Sequence, residues 1–175
     1  VFKQVAGKNG RYRGMASATG SAGTIASGDY MKKLFPDSKI IASEALQCPT
    51  LLESGFGAHR IEGIGDKHVP WIHNTKNTDF VTAIDDTAVV NISRLFNEEN
   101  GRAYLAVKGV PETIISNLDL LGFSGISNVL SCVKTAKYYE MDENDVMITM
   151  LTDSMELYRS RLHEMHQEFG EYSEK

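Results

Sequence analysis

Short apolar runs alternate along this chain with stretches whose apolar residues recur at helical spacing. The runs at 13–19, 39–43, 80–84 and 146–151 predict β-strands, and the second and the last of them are apolar enough to be buried. Each run is followed by a stretch with the spacing of an amphipathic helix. Strands that alternate with helices favour an α/β domain with a mostly parallel sheet flanked by helices in three layers.

The sequence also indicates where the helices begin and end. Asp85 and Asp153 are good N-caps, Pro111 suits a first helical turn, and Asn100-Gly101 is a typical helix end. The predicted helices span residues 24–35, 47–54, 85–99, 111–120, 127–139 and 153–169. We further expect the last turn of a helix at 2–6, a short strand at 104–107 and a loop over 55–77.

Composition narrows the class of protein. The 175 residues predict one domain, 1–175, and a formal net charge of −5 argues against a nucleic-acid partner. Two cysteines, Cys48 and Cys132, form neither a disulfide framework nor a zinc motif, so we expect buried thiols in the reducing cytoplasm. No apolar run reaches the length of about 18 residues that spans a membrane.

The strongest local signal is the small-residue segment 18–24, between a predicted strand and a predicted helix. Small residues allow backbone amides to approach an anion, and Ser21 and Thr24 add hydroxyls. The residue directly after Gly23 is Thr24 and not the Lys of a Walker A motif, so this is not a Walker A loop. The segment predicts a phosphate site, and the alternative is a tight turn in which Thr24 or Ser21 caps the helix.

Other polar groups favour structural roles. His163 and His166 lie one helical turn apart and could share a metal, but their acidic neighbours favour a solvated helix face. His59, His68 and His73 have no zinc spacing. We therefore expect no metal site.

Several motifs carry a resemblance to a known family. The segments at 20–24, 36–44, 59–65, 80–86, 122–124 and 152–158 are similar, in the same order, to motifs of the fold type II pyridoxal-phosphate enzymes. The segments resemble those of cysteine synthase and cystathionine β-synthase, whose phosphate loop reads G-T-G-G-T and whose helix start reads G-I-S-S-G. The resemblance implies a partial tryptophan synthase β-like fold and pyridoxal 5′-phosphate as cofactor of the parent protein.

The resemblance also implies the binding residues. The phosphate loop corresponds to Gly20, Ser21, Ala22, Gly23 and Thr24. Ser124 matches the family's serine at the pyridine nitrogen, to which a neutral hydroxyl would donate a hydrogen bond, unless it only caps the helix near 127.

The chain also departs from the family pattern near the cofactor. Thr152 is the second candidate at the ring, in a segment where Thr152 and Met155 replace a Pro and a Gly of the family. Ala22 replaces a loop Gly, and residues 102–121 resemble an insertion.

One motif of the family is not found. Its Schiff-base Lys precedes the glycine loop, and none of the 19 residues before Gly20 resembles that motif. Lys108 matches nothing in the family and suits a surface position. We therefore expect the C-terminal half of a longer catalytic domain, with no catalytic residue of its own.

The leading hypothesis is a fragment of a lyase or synthase that acts on amino acids by β-elimination or β-replacement. Its parent would bind pyridoxal phosphate and an amino-acid substrate and would form a homodimer. The fragment alone would bind the cofactor, or phosphate or sulfate in its place, or nothing. The alternatives are a non-catalytic regulatory or interaction domain, a subunit of an amino-acid-degrading complex, and a different phosphate- or nucleotide-binding domain.

Overall fold

A computed structural model describes residues 9–173 of the chain. A four-stranded, all-parallel sheet with the order β3-β2-β1-β4 forms its centre. The strands are β1 (Arg11–Ala18), β2 (Lys39–Ala45), β3 (Phe80–Ile84) and β4 (Asp145–Thr149). The four strands predicted at 13–19, 39–43, 80–84 and 146–151 are present, and the parallel α/β sheet is confirmed. The helical turn predicted at 2–6 lies outside the described residues.

Seven α-helices are present in residues 9–173. Their bounds are α1 (Ala26–Leu34), α2 (Thr50–Glu53), α3 (Asp86–Asn97), α4 (Glu99–Val107), α5 (Glu112–Ile115), α6 (Phe123–Tyr138) and α7 (Arg159–Phe169). Short 3₁₀ turns occupy Thr75–Asn77, Leu118–Leu120 and Met155–Tyr158. No helix within this range combines the length and the hydropathy needed to cross a bilayer.

The side chains of β2 alternate between two faces, which divides the structure into three layers. Ile40 and Ala42 pack with Ile25 beside α1 on one face. Ala45 packs on the other face, in the larger cluster that contains Phe123 and Ile126 of α6. The sheet therefore lies between α1 and α6, and α3 packs outside α6.

Small polar side chains line the interface between α6 and the sheet. Thr82 and Ser131 share a hydrogen bond of 2.6 Å, and the Ser43 and Ser127 hydroxyls lie 3.5 Å apart. All four residues are buried. Their small volume brings α6 close to the strands, and the pairing of their hydroxyls keeps buried polar groups satisfied.

Two predictions between residues 99 and 107 are wrong. Asn100-Gly101 does not end a helix, and residues 104–107 are not a strand, because both segments lie within α4. The break falls at Glu98, which has extended backbone angles of −81° and 147°. Gly101 instead permits close packing, since a Cβ atom there would lie 2.4 Å from the carbonyl oxygen of Leu95 in α3.

Three further boundaries differ from the sequence prediction. Helix α6 begins at Phe123 rather than at 127, so Ser124 lies inside its first turn instead of capping it. Asp153 caps no helix, because a 3₁₀ turn separates it from α7. Strand β4 is an edge strand and is half-buried along its whole length, not buried.

The two cysteines differ in their burial. Cys48 is buried as expected, whereas Cys132 is only partly buried.

Candidate functional site

The loop 19–25 leaves the carboxyl end of β1 and is tied down at both ends. The Thr19 amide and hydroxyl both donate to the Ser43 carbonyl, at 2.8 and 3.2 Å. The Thr19 carbonyl accepts from the Gly65 amide at 2.9 Å, which ties segment 63–65 to the loop. At the far end, the Thr24 hydroxyl lies 2.6 Å from the Ser17 hydroxyl. The loop is therefore fixed without any contribution from a ligand.

The amides of this loop are available to a ligand. Within residues 9–173, the amides of residues 20–24 donate to no backbone carbonyl and to no side chain. The first acceptor in the turn is the Ala22 carbonyl, which the Ala26 amide reaches at 3.2 Å. A row of free amides at a strand-to-helix step forms a concave anion site, reinforced by the positive end of α1.

Ala22 adopts a backbone conformation that favours glycine. Its φ is 63°, in the left-handed region. An L-residue with a Cβ atom is strained there by about 1–2 kcal/mol. The methyl group is 2% exposed and packs in the Ile25 and Ile40 cluster, which offsets part of that strain.

The loop forms one wall of a cleft of about 300 Å³. Segment 63–64, the first turns of α6 and the chain after β4 form the other walls. The lining residues carry hydroxyl, amide and backbone groups but no ionisable side chain: Ala18, Gly20, Ser21, Ala22, Gly23, Thr24, Gly63, Ile64, Ser124, Asn128 and Thr152. All seven predicted binding residues therefore line one cleft.

Ser124 and Thr152 both line the cleft and contact each other. Ser124 is 4% exposed, and its hydroxyl donates to Asp153 Oδ1 at 2.7 Å. The Thr152 hydroxyl lies 3.2 Å from the same Ser124 oxygen. Burial, together with the nearby Asp153 carboxylate, raises the pKa of the Tyr158 phenol to about 12. Tyr158 therefore stays neutral over the physiological pH range.

Asn128 is a site residue that the sequence reasoning missed. It is 2% exposed, its Oδ1 accepts from the Ala18 amide at 2.7 Å, and its Nδ2 donates to the Met150 carbonyl at 2.8 Å. The β1–β4 register ends at Ala16 and Thr149, so Asn128 bridges the two strands beyond their last pair. The sequence feature that could have identified Asn128 is a polar amide on a helix face whose other residues are buried.

The remaining candidate residues do not join this site. Lys108 lies at the end of α4, where its ammonium stacks over the Tyr104 ring at 5.1 Å. The Asp85 side chain caps α3 by accepting from the Thr87 amide, as predicted, which lowers the pKa of its carboxyl. Within residues 9–173, no three His, Cys, Asp or Glu side chains are grouped as metal ligands.

A second cavity of about 290 Å³ lies behind Phe123. Its charged walls are already paired, since Arg60 binds Glu168 at 2.8 Å and Arg161 binds Glu62 at 2.9 Å. The cleft with free amides is therefore the stronger candidate for an anionic ligand.

Known proteins are similar to this chain in sequence and in fold. No protein-family model matches the chain. It is 28% identical to cysteine synthase B of Campylobacter jejuni over 142 residues, or 81% of this chain. It is 24% identical to the cysteine synthase of Staphylococcus aureus over 145 residues, or 82% of this chain. O-acetylserine sulfhydrylase isoform 3 of Entamoeba histolytica superposes with a TM-score of 0.72 and 24% identity, covering 99% of this chain and 44% of that one.

The chain is similar in both sequence and fold to the fold type II pyridoxal-phosphate enzymes. It matches a C-terminal part of the family's catalytic domain. It spans about 40% of the length of the curated relatives, 40% for the Campylobacter jejuni protein and 41% for that of Staphylococcus aureus. The parallel sheet and the glycine-rich loop of this chain resemble those of the family, and Ala22, with a φ of 63°, stands where the family's loop has a glycine.

Proposed function

We propose that this chain forms the phosphate-binding and ring-binding part of an enzyme that acts on amino acids by β-elimination or β-replacement. The observation that carries the proposal is the row of free amides at 20–24, whose residues line the same cleft as Ser124. Pyridoxal phosphate, when bound, supplies the electron sink for such reactions. The cysteine synthases to which the chain is similar support the reaction class.

The residues of the cleft fit this cofactor. Gly20 and Gly23 leave space beside the free amides: a Cβ atom at Gly23 would have only the Ser21 hydroxyl within 4 Å, at 3.9 Å. Backbone amides and hydroxyls bind a phosphate dianion without a lysine or arginine. Ser124, which lines the same cleft, provides a neutral hydrogen-bonding group for a ring heteroatom. The loop residues would hold and orient the phosphate, and the apolar Ile64 would shield it from water.

A catalytic amine is not among the cleft residues, since none of those that the structure describes is a lysine. This observation favours a second function, in which the chain binds the cofactor or an anion without turning over a substrate. Activity of the whole protein toward a β-substituted amino acid distinguishes the two functions. The amino-acid substrate and the homodimer are parts of the proposal.

Gly23→Val tests the anion site. Valine adds volume where the phosphate would lie, while its Cβ atom meets no backbone atom within 4 Å, so the fold should persist. We expect binding of pyridoxal phosphate by the 175-residue chain, measured by isothermal titration calorimetry, to weaken at least about tenfold, the loss of one or more charge-assisted hydrogen bonds. Ala88→Val, on the exposed face of α3, adds similar volume outside the site and serves as the control.

Inorganic phosphate should compete with pyridoxal phosphate and should shift the amide NMR signals of residues 20–24. Binding of either ligand with those signals unmoved, or unchanged binding by folded Gly23→Val, would show that the site lies elsewhere.

A further inference from the structure

The cavity of about 290 Å³ behind Phe123 is separate from the cleft, since the two share no lining residue. They are neighbours nevertheless, because Phe123 directly precedes Ser124 of the cleft wall. The volume lies at the lower end of the range of about 300–1,000 Å³ that small-molecule sites occupy. The buried side chains of Val90, Phe123 and Met165 form the apolar part of its wall. The cavity therefore has room for a small ligand with an apolar group.

The charged part of the wall consists of two arginines and three glutamates that form ion pairs with one another. Arg60 donates to both carboxylate oxygens of Glu168, at 2.9 and 2.8 Å. Arg161 binds Glu62 at 2.9 Å and Glu164 at 2.7 Å. These five side chains are between 37 and 56% exposed. Ion pairs with that exposure contribute little to stability, so a ligand can open one at little cost.

The pairing of these charges decides which kind of ligand the cavity favours. A ligand with one charge binds one member of an opened ion pair and covers the other member, which then has no partner. A zwitterion satisfies both members, because its carboxylate binds the arginine and its ammonium group binds the glutamate. The planar guanidinium also matches a carboxylate through two parallel hydrogen bonds. The wall therefore favours a zwitterion over an anion or an amine.

Helix α7 forms one side of this cavity and is held there with little apolar burial. Nine of its eleven residues are exposed, and Met165 is its one buried residue. A helix with so little buried surface can adjust around a ligand without opening the core. Helix α7 begins after 152–158, the last segment that resembles the pyridoxal-phosphate enzymes. This side of the cavity is therefore not part of the motifs that carry the resemblance.

We propose that the cavity behind Phe123 is a second ligand site, which binds a free amino acid as its zwitterion. Arg60 receives the carboxylate, and Glu168 receives the ammonium group. Within residues 9–173, the Arg60 guanidinium contacts one carboxylate, whereas that of Arg161 contacts two, so the Arg60–Glu168 pair opens without competition from a further glutamate. The apolar part of the wall holds the side chain of the ligand. The inference concerns a site outside the proposed function and does not depend on it.

NMR titration of the ¹⁵N-labelled 175-residue chain tests the site with defined probes. We expect L-leucine to cause saturable shifts in the amide signals of residues 60–62 and 161–168 and to leave those of 20–24 unmoved. 4-Methylpentanoate lacks the ammonium group of L-leucine, and 3-methylbutylamine lacks its carboxylate. Each should bind at least about tenfold more weakly than L-leucine, the loss of one charge-assisted hydrogen-bonded contact.

Two variants distinguish a binding role of the ion pair from a structural one. Arg60→Gln and Glu168→Gln each remove one charge, and both should weaken L-leucine binding about tenfold. The probes with one charge should respond in the opposite direction: Glu168→Gln frees Arg60 for 4-methylpentanoate, and Arg60→Gln frees Glu168 for 3-methylbutylamine, so each variant should bind its probe more tightly than wild type does. Arg159→Gln, on α7 but outside the cavity wall, is the control and should leave all three affinities unchanged. The thermal midpoint of each variant confirms folding.

Three results would overturn the inference. They are the absence of saturable shifts at 60–62 and 161–168 with both L-leucine and L-serine, equal affinity for L-leucine and the probes with one charge, and unchanged affinities in folded Arg60→Gln and Glu168→Gln. None of them affects the proposed function, because binding of pyridoxal phosphate and its loss in Gly23→Val are measured at residues 20–24.

Discussion

Asn128 offers the sharpest test of how the cleft is held open. Its side chain satisfies the Ala18 amide and the Met150 carbonyl, two backbone groups that no strand pairing reaches. Asn128→Ala leaves both without a partner at a position that is 2% exposed. Each orphaned group costs about 1–3 kcal/mol, and water in the adjacent cleft lowers that cost, so we expect a loss of about 2–3 kcal/mol.

Asn128→Asp replaces only the NH₂ group that donates to Met150, and its effect on the free energy of unfolding depends on pH. One carboxylate oxygen still accepts from Ala18, but the other faces the Met150 carbonyl, which cannot donate. Burial and this contact favour the neutral acid, which can donate to Met150, so the pKa of the new carboxyl is higher in the folded state than in the unfolded one. The stability of the variant relative to wild type is therefore highest below the unfolded value of about 3.9, and it is lost as pH rises through the folded value.

Urea unfolding followed by circular dichroism from pH 4 to pH 8 measures both effects. A loss of about 2–3 kcal/mol corresponds to a fall in thermal midpoint of about 4–12 °C for a chain of this size. Asn91→Ala and Asn91→Asp, on the exposed face of α3, are the matched controls and should stay within about 0.5 kcal/mol of wild type. An Asn128→Ala variant as stable as these controls, or an Asn128→Asp defect that does not vary with pH, would refute the reasoning.

Three further predictions follow from buried ionisable groups. Glu44 is 1% exposed and accepts from the Leu51 and Leu52 amides at 2.9 and 3.0 Å; Glu44→Gln puts an NH₂ group against one of these donors and should cost about 2 kcal/mol in urea unfolding, whereas Glu143→Gln, in an exposed turn, should cost less than about 0.5 kcal/mol. Burial raises the pKa of Tyr12 to about 12, and burial together with Asp153 raises that of Tyr158 to the same value. Because the fold favours the neutral phenols, stability should be lost as pH rises from about 10 to about 12, and Tyr12→Phe should reduce that loss. Ionisation of both tyrosines near pH 10 in a 295 nm titration of the folded chain would contradict this expectation. Burial raises the pKa of the Cys132 thiol to about 11, so iodoacetamide at pH 8 should label it about 100-fold more slowly than in urea, and equal rates would contradict its placement.

The parts of the fold that sequence reasoning predicted are those whose signal is local. The runs at 39–43 and 80–84 are apolar over a strand's length, and Asp85 has the side chain that a helix N-terminus needs, so their elements follow from short-range chemistry. The glycine-rich loop is likewise a local pattern. Each of these depends only on residues that are neighbours along the chain.

The errors arise where a distant residue decides the local structure. Gly101 signals a helix end, but its missing side chain serves the contact with Leu95 instead. Gly122 has no side chain to cap α6, and the packing that lets the helix begin at Phe123 comes from Asp153, about thirty residues later. Asp153 thus has the local sequence of a cap for the last helix, while its contacts place it at another one. Periodicity cannot distinguish these cases, because it contains no information on which element lies opposite.

The position of the cleft follows from the order of the strands. The chain passes from β1 to β2 on one side, whereas β4 pairs on the other side of β1, so the connections diverge at the carboxyl end of β1. Open parallel sheets bind ligands in the crevice at such a switch point. The loop 19–25 supplies amides from one side of this crevice and Thr152 supplies a hydroxyl from the other, while Asn128 spans the gap between them. Because the strand order sets the gap and Asn128 keeps its backbone groups satisfied, an anion site can exist here before any ligand binds.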